Sequence, residues 1–147
     1  MKTSYDIKAL AAIPPIATTA TTATYNGAAQ GSAVGVDVSG ARTATLLIVA
    51  GAIGASHTTT LEVYESAKSS NPDDLALITG ATCTVVTAEA NGVKQARIRV
   101  SKLSEGKKYL YIKRTPGDTT SCLLGVSVIK CDHTEQPAGA TLAFDVK

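Results

Sequence analysis

Apolar and polar residues alternate with a period of two along most of this 147-residue chain, the spacing of strands with one buried face. The clearest stretch is 34–50. Val34, Val36 and Val38 alternate with Gly35 and Asp37, whereas 45–50 is almost continuously apolar, as expected of a central strand covered on both faces. These segments predict two strands meeting at a tight turn. Further along, Leu61 and Val63 alternate with Thr60, Glu62 and Tyr64, and Ala96, Ile98 and Val100 alternate with Arg97, Arg99 and Ser101. Leu110 and Ile112 oppose Tyr109, Tyr111 and Lys113. Leu124, Val126 and Val128 share one face, and Leu142, Phe144 and Val146 alternate with Ala143 and Asp145.

Turn formers punctuate these runs. Residues 51–54 read as a loop, 68–74 as an exposed loop of charged and turn-forming residues, and 75–78 as a short strand closed by Gly80. Asn91-Gly92 between 82–88 and 94–100 is a strong hairpin signal, and Pro116-Gly117 suits the centre of a type II turn. About eight strands without a convincing interior helix predict an all-β fold, an antiparallel β-sandwich or jelly roll. Ahead of it, Tyr5, Ile7, Leu10, Ile13 and Ile16 recur at spacings near three until Pro14-Pro15 breaks any helix. That segment reads either as a strand or turn tucked against the domain, or as an N-terminal arm that docks on a neighbouring subunit. Residues 17–32 are Thr/Ala-rich and then Gly-rich, either a linker or a Thr-rich strand. The expected organisation is an arm and low-complexity segment over 1–33, followed by a single sandwich domain over 34–147.

Composition narrows the core. There is no Trp, one Phe and five Tyr, so the interior must be built from small and branched side chains. A net charge of +2 is too small for nucleic-acid binding by bulk electrostatics, and Tyr109 and Tyr111 beside Lys108 and Lys113 make a poor stacking platform. Eight of the 14 basic residues nevertheless fall between Lys94 and Arg114, where Glu105 is the only acid, predicting one locally positive region. Arg97, Arg99, Lys108 and Lys113 are therefore candidate subunit contacts, together with Tyr5, Ile7, Ile13, Pro14, Pro15 and Ile16 of the arm.

No catalytic chemistry stands out. His57 and His133 lie in predicted loops without metal-ligand spacing and read as solvated. Cys83 reads as a small buried residue. Cys83, Cys122 and Cys131 cannot all pair within one chain, and a continuous strand over 122–131 sets Cys122 and Cys131 about 30 Å apart, beyond disulfide reach. Free thiols in a reducing compartment are expected. The glycines at 51 and 54 match no phosphate-loop pattern. A protein without enzymatic activity, metal or cofactor is the expectation. With neither a signal-peptide apolar region nor a run of membrane-spanning length, the expected location is inside a cell or inside something assembled there, with no membrane partner.

The order of motifs resembles a known class. Gly35-Val-Asp-Val-Ser-Gly-Ala-Arg-Thr-Ala-Thr-Leu-Leu-Ile-Val-Ala-Gly51, then Leu-Glu-Val-Tyr-Glu-Ser66 with a polar loop, then Lys-Lys-Tyr-Leu-Tyr-Ile-Lys113 and an apolar strand, is similar to small virion structural proteins of tailed bacteriophages, including capsid decoration (cement) proteins. The resemblance covers about residues 34–131 and carries no active-site residues. It implies a β-sandwich-like protein on the outside of an assembled phage head, with the major capsid protein and copies of itself, commonly a homotrimer, as partners. A head-tail connector or tail component is the alternative within the virion. A carbohydrate-binding or adhesion module is the alternative outside it, with Tyr64, Tyr109 and Tyr111 as its aromatic candidates.

Overall fold

The computed structural model describes residues 8–18, 22–131 and 142–146. Ten strands form two sheets: β1 (Lys8–Thr18), β2 (Thr24–Tyr25), β3 (Val36–Asp37), β4 (Thr43–Ile53), β5 (Thr58–Ser66), β6 (Ala76–Val86), β7 (Val93–Arg99), β8 (Tyr109–Pro116), β9 (Cys122–Cys131) and β10 (Leu142–Val146). One sheet has the order β1-β9-β4-β7-β10. The other has the order β2-β8-β5-β6, with β3 also pairing β8. Leu46, Ile48, Ile98, Leu124 and Val126 from the first sheet pack against Leu61, Val63, Val85, Leu110 and Ile112 from the second, all at most 1% exposed. This is the predicted all-β sandwich, with a core of branched aliphatic residues as the composition requires.

The pairing is nested. β1 pairs β9, β2 pairs β8, β4 pairs β7 and β5 pairs β6, each antiparallel. Among the described strands, β10 departs from this pattern by lying parallel to β7. Its register sets Asp145 opposite Arg97, whose guanidinium makes a bidentate bond to the carboxylate (Nε to Oδ1 3.0 Å and a terminal nitrogen to Oδ2 2.6 Å).

Several local expectations are corrected. The 34–50 stretch is not a hairpin: β3 joins one sheet and β4 the other, because Val36, Val38 and the inner face of β4 must reach one core from opposite sides. The same reason separates β6 from β7. The Asn91-Gly92 turn is present, with Asn91 at φ 59, but a 3-10 turn at Thr87–Glu89 precedes it and the two strands enter different sheets. Residues 75–78 and 82–88 are not separate either, since β6 runs through both with an irregularity near Gly80, whose φ is +81. Gly117 has no positive φ and so makes no type II turn; it lies so close to Thr58 that a Cβ would overlap the threonine hydroxyl.

Of the predicted arm, residues 8–18 form β1, an edge strand hydrogen-bonded to β9, with Ile13 in the core at 4% exposure. An edge is where a sheet tolerates prolines, which cannot donate to a ladder, and the register shifts around Pro14-Pro15. Next to it, Asn26 splices β2 to β3. Its side chain donates to the carbonyls of Val34 and Leu110 and accepts from Ile112 N–H, so two short strands act as one along β8.

Candidate functional site: the basic end of the sandwich

Folding redistributes the basic run. Lys94 pairs with Glu89, Arg97 with Asp145, Lys107 with Asp74 and Lys113 with Glu62, the last at 3.2 Å. Arg114 is 4% exposed and donates to the Cys122 carbonyl at 2.8 Å. The acids come from other strands and loops, so four of the eight charges that are clustered in sequence are neutralised in space. Among the described residues, Arg99, Lys102 and Lys108 have no ion pair, and all three lie at the end of the sandwich where β4 begins and β7 and β9 finish.

Two residues from outside the run join them there. Arg42 precedes β4, its N–H donating to the Cys131 carbonyl and its own carbonyl accepting from Val100 N–H. Lys130 ends the other flank. Asp37 sits at the same end; hydrogen bonds from Ser39 are the main cause holding its carboxyl below the usual range, and the charges of Lys130 and Lys108 add to the effect. Arg42 and Arg99 line an open depression of about 470 Å³ with Ala41, Val100 and Ser101. Lys108 Nζ stands 5.4 Å from the centre of the Tyr109 ring.

The candidate contacts therefore separate. Arg99 and Lys108 lie at the same end of the sandwich, on different sheets. Arg97 and Lys113 are occupied by acids, and Lys113 also stands 5.8 Å from the Tyr64 ring on the outer face of the second sheet. Ile13 is core rather than contact, and Pro14 is exposed on the β1 edge. Pro15 and Ile16 lie in β1, while Tyr5 and Ile7, with His133, fall outside the described residues. Arg42 was not singled out from sequence because it stands far from the basic run and meets it only through the β4–β7 pairing.

The opposite end holds a cluster that sequence composition misassigned. His57 is not solvated but 1% exposed. Its Nδ1 lies 2.8 Å from Asp118 Oδ1 and its Nε2 2.6 Å from Thr59 Oγ1. Its backbone N–H donates to Thr87 Oγ1, whose hydroxyl donates to the Gly54 carbonyl. Hydrogen bonds from Thr120 first, and from His57 second, hold the Asp118 carboxyl down at about 2. Hydroxyl, imidazole and carboxylate stand in the order of a hydrolytic triad. Thr59, however, is 0% exposed, so the oxygen a substrate would have to meet is sealed between the sheets. The cluster works as a clamp joining the 54–58, 87 and 117–120 segments.

Two further expectations are settled by burial. Tyr111 points away from the core, yet it is 0% exposed because Gly35 packs over its ring and its hydroxyl donates to the Lys68 carbonyl at 2.8 Å. It is therefore withdrawn from any aromatic binding face, which leaves Tyr64 and Tyr109. Cys83 and Cys122 are buried free thiols; burial pushes the Cys83 thiol up to about 11, away from nucleophilic chemistry.

No helix among the described residues is long and apolar enough to cross a membrane. No protein-family model, curated protein or solved structure matches the chain.

Proposed function

We propose that this chain is a capsid decoration protein of a tailed bacteriophage, binding the outer surface of the assembled head and reinforcing it without chemistry of its own. The observation that carries the reading is the nested pairing of β1 with β9, β2 with β8, β4 with β7 and β5 with β6. Nested pairing of this kind across two sheets supports a jelly-roll reading, an architecture used by viral capsid and lectin domains. Architecture alone assigns no function. The resemblance of residues 34–131 to small phage virion proteins directs it toward the shell.

Under this reading the basic end, with Arg42, Arg99, Lys102 and Lys108, faces an acidic patch on the major capsid protein, and complementary charge sets the orientation of docking. Copies associate as trimers at symmetry junctions. Because the chain binds the assembled shell and not its dispersed subunits, it stabilises the shell by mass action. The test is to add purified chain to emptied, expanded heads and image them. Density on the outer surface supports the proposal, whereas density in the tail, or no binding, overturns it. Light scattering of the free chain gives a mass near three times 15.0 kDa if the trimer forms before docking.

A further inference from the structure

Beside the two-arginine depression, two residues paired across the sheet each bury a polar atom that has no hydrogen-bond partner among the described residues. Thr43 and Arg99 are directly opposed in the β4–β7 register. Thr43 is 1% exposed, and neither its hydroxyl nor the buried Nε–H of Arg99 has a hydrogen-bond partner among the described residues. A buried donor left unsatisfied is costly, and native structures normally fill such a position with a group that belongs there. Arg99 lines the depression together with Arg42 and Ser101, and among the described residues its lining contains no acid. Lys102, in the 3-10 turn directly after β7, adds a third positive charge that has no ion pair among the described residues.

We infer that this depression is a binding site for a small oxyanion, a phosphate or a carboxylate. The lining is rich in donors: two guanidinium forks, each with five N–H groups in a fixed plane, and the Ser101 hydroxyl. Guanidinium pairs match the oxygens of phosphate and carboxylate in two-point contact, an arrangement that water or chloride does not reproduce. The backbones of both arginines are fixed in place, Arg99 within β7 and Arg42 through hydrogen bonds to Cys131 and Val100, so the forks start from a rigid frame. The anion can be free in solution or the side chain of an acidic partner protein. The site does not depend on the shell proposal, because a chain that never meets a phage head still binds phosphate here.

The experiment follows the arginine Nε–H resonances of the full chain by NMR. Sodium phosphate, sodium acetate and a short Asp-rich peptide are titrated separately, with sodium chloride balancing ionic strength. Saturable shifts at Arg42 and Arg99 are expected. Saturation by phosphate alone identifies a free anion as the ligand, and saturation by acetate and peptide as well identifies a partner's carboxylate. Arg42→Gln is exposed and leaves the fold intact, and it weakens binding by about tenfold, the loss of one charge-assisted bond. Arg99→Lys weakens it comparably although the charge remains, because the fork is gone. Lys68→Gln, at an exposed ion pair outside the depression, leaves the affinity unchanged. Shifts that stay linear with phosphate, or an affinity that falls as much with Lys68→Gln as with Arg42→Gln, overturn the site and reduce the effect to general screening.

Discussion

Replacing His57 with alanine removes the centre of the clamp at one end of the sandwich. The imidazole is 1% exposed, and the hydroxyl it leaves behind, on Thr59, is 0% exposed and loses its 2.6 Å partner. An orphaned buried hydroxyl costs about 1–3 kcal/mol. The emptied ring volume adds about 1–2 kcal/mol, since the closely packed surroundings relax only in part. The Asp118 contact on the solvent side is left out of this figure. A loss of about 3 kcal/mol is a large part of a typical stability of about 5–15 kcal/mol. It corresponds to a fall in Tm of about 6–12 °C for a domain of this size. Guanidinium unfolding followed by far-UV circular dichroism measures it, the chain having no Trp to report by fluorescence. The midpoint should fall with the slope unchanged. A loss below about 1 kcal/mol would show that Thr59 finds another partner and that the clamp does not hold the loops together.

Other outcomes follow from the same geometry. Asp145→Ala frees β10 from its bidentate tie to Arg97 and costs about 1–2 kcal/mol, with a double-mutant coupling to Arg97→Ala of about 1 kcal/mol, read by denaturant unfolding. Under native conditions a maleimide labels Cys131, which is partly exposed, while Cys83 and Cys122 react only on unfolding, as intact-mass time courses will report. Stability falls as pH drops. Asp118, held at about 2 by Thr120 and His57, and Asp74, lowered chiefly by Lys107 and then by Ser66, have folded values below their unfolded value of 3.8. Their contribution is complete above that value and is lost as pH falls from about 4 toward 2. Thermal melts between pH 6 and 2 read the loss, and Lys107→Gln makes it shallower.

The strands were legible wherever burial follows from the strand itself. Leu61 and Val63, or Leu124, Val126 and Val128, face inward as their alternation demands. The pairing of strands was not legible, because Asn91-Gly92 specifies a turn but not whether the next strand returns to the same sheet. The site was legible only in part, for a related reason. The basic run from Lys94 to Arg114 is a local pattern, whereas the acids that cancel half of it, Glu62, Asp74, Glu89 and Asp145, arrive by tertiary contact. His57 looked solvated because its neighbours are small and polar. Its partner Asp118 is 61 residues away in sequence. Tyr111 obeys the alternation and is sealed all the same, by Gly35 and the Lys68 carbonyl.

The most direct measurement of the proposed role is binding of purified chain to emptied, expanded heads across a salt series, with the bound copies located by cryo-EM. Many copies over the outer shell, released as salt rises and bound more weakly by an Arg42→Gln, Lys108→Gln variant, are the predicted result. A single ring at the neck, density on the tail, or heads left bare at low salt would contradict it.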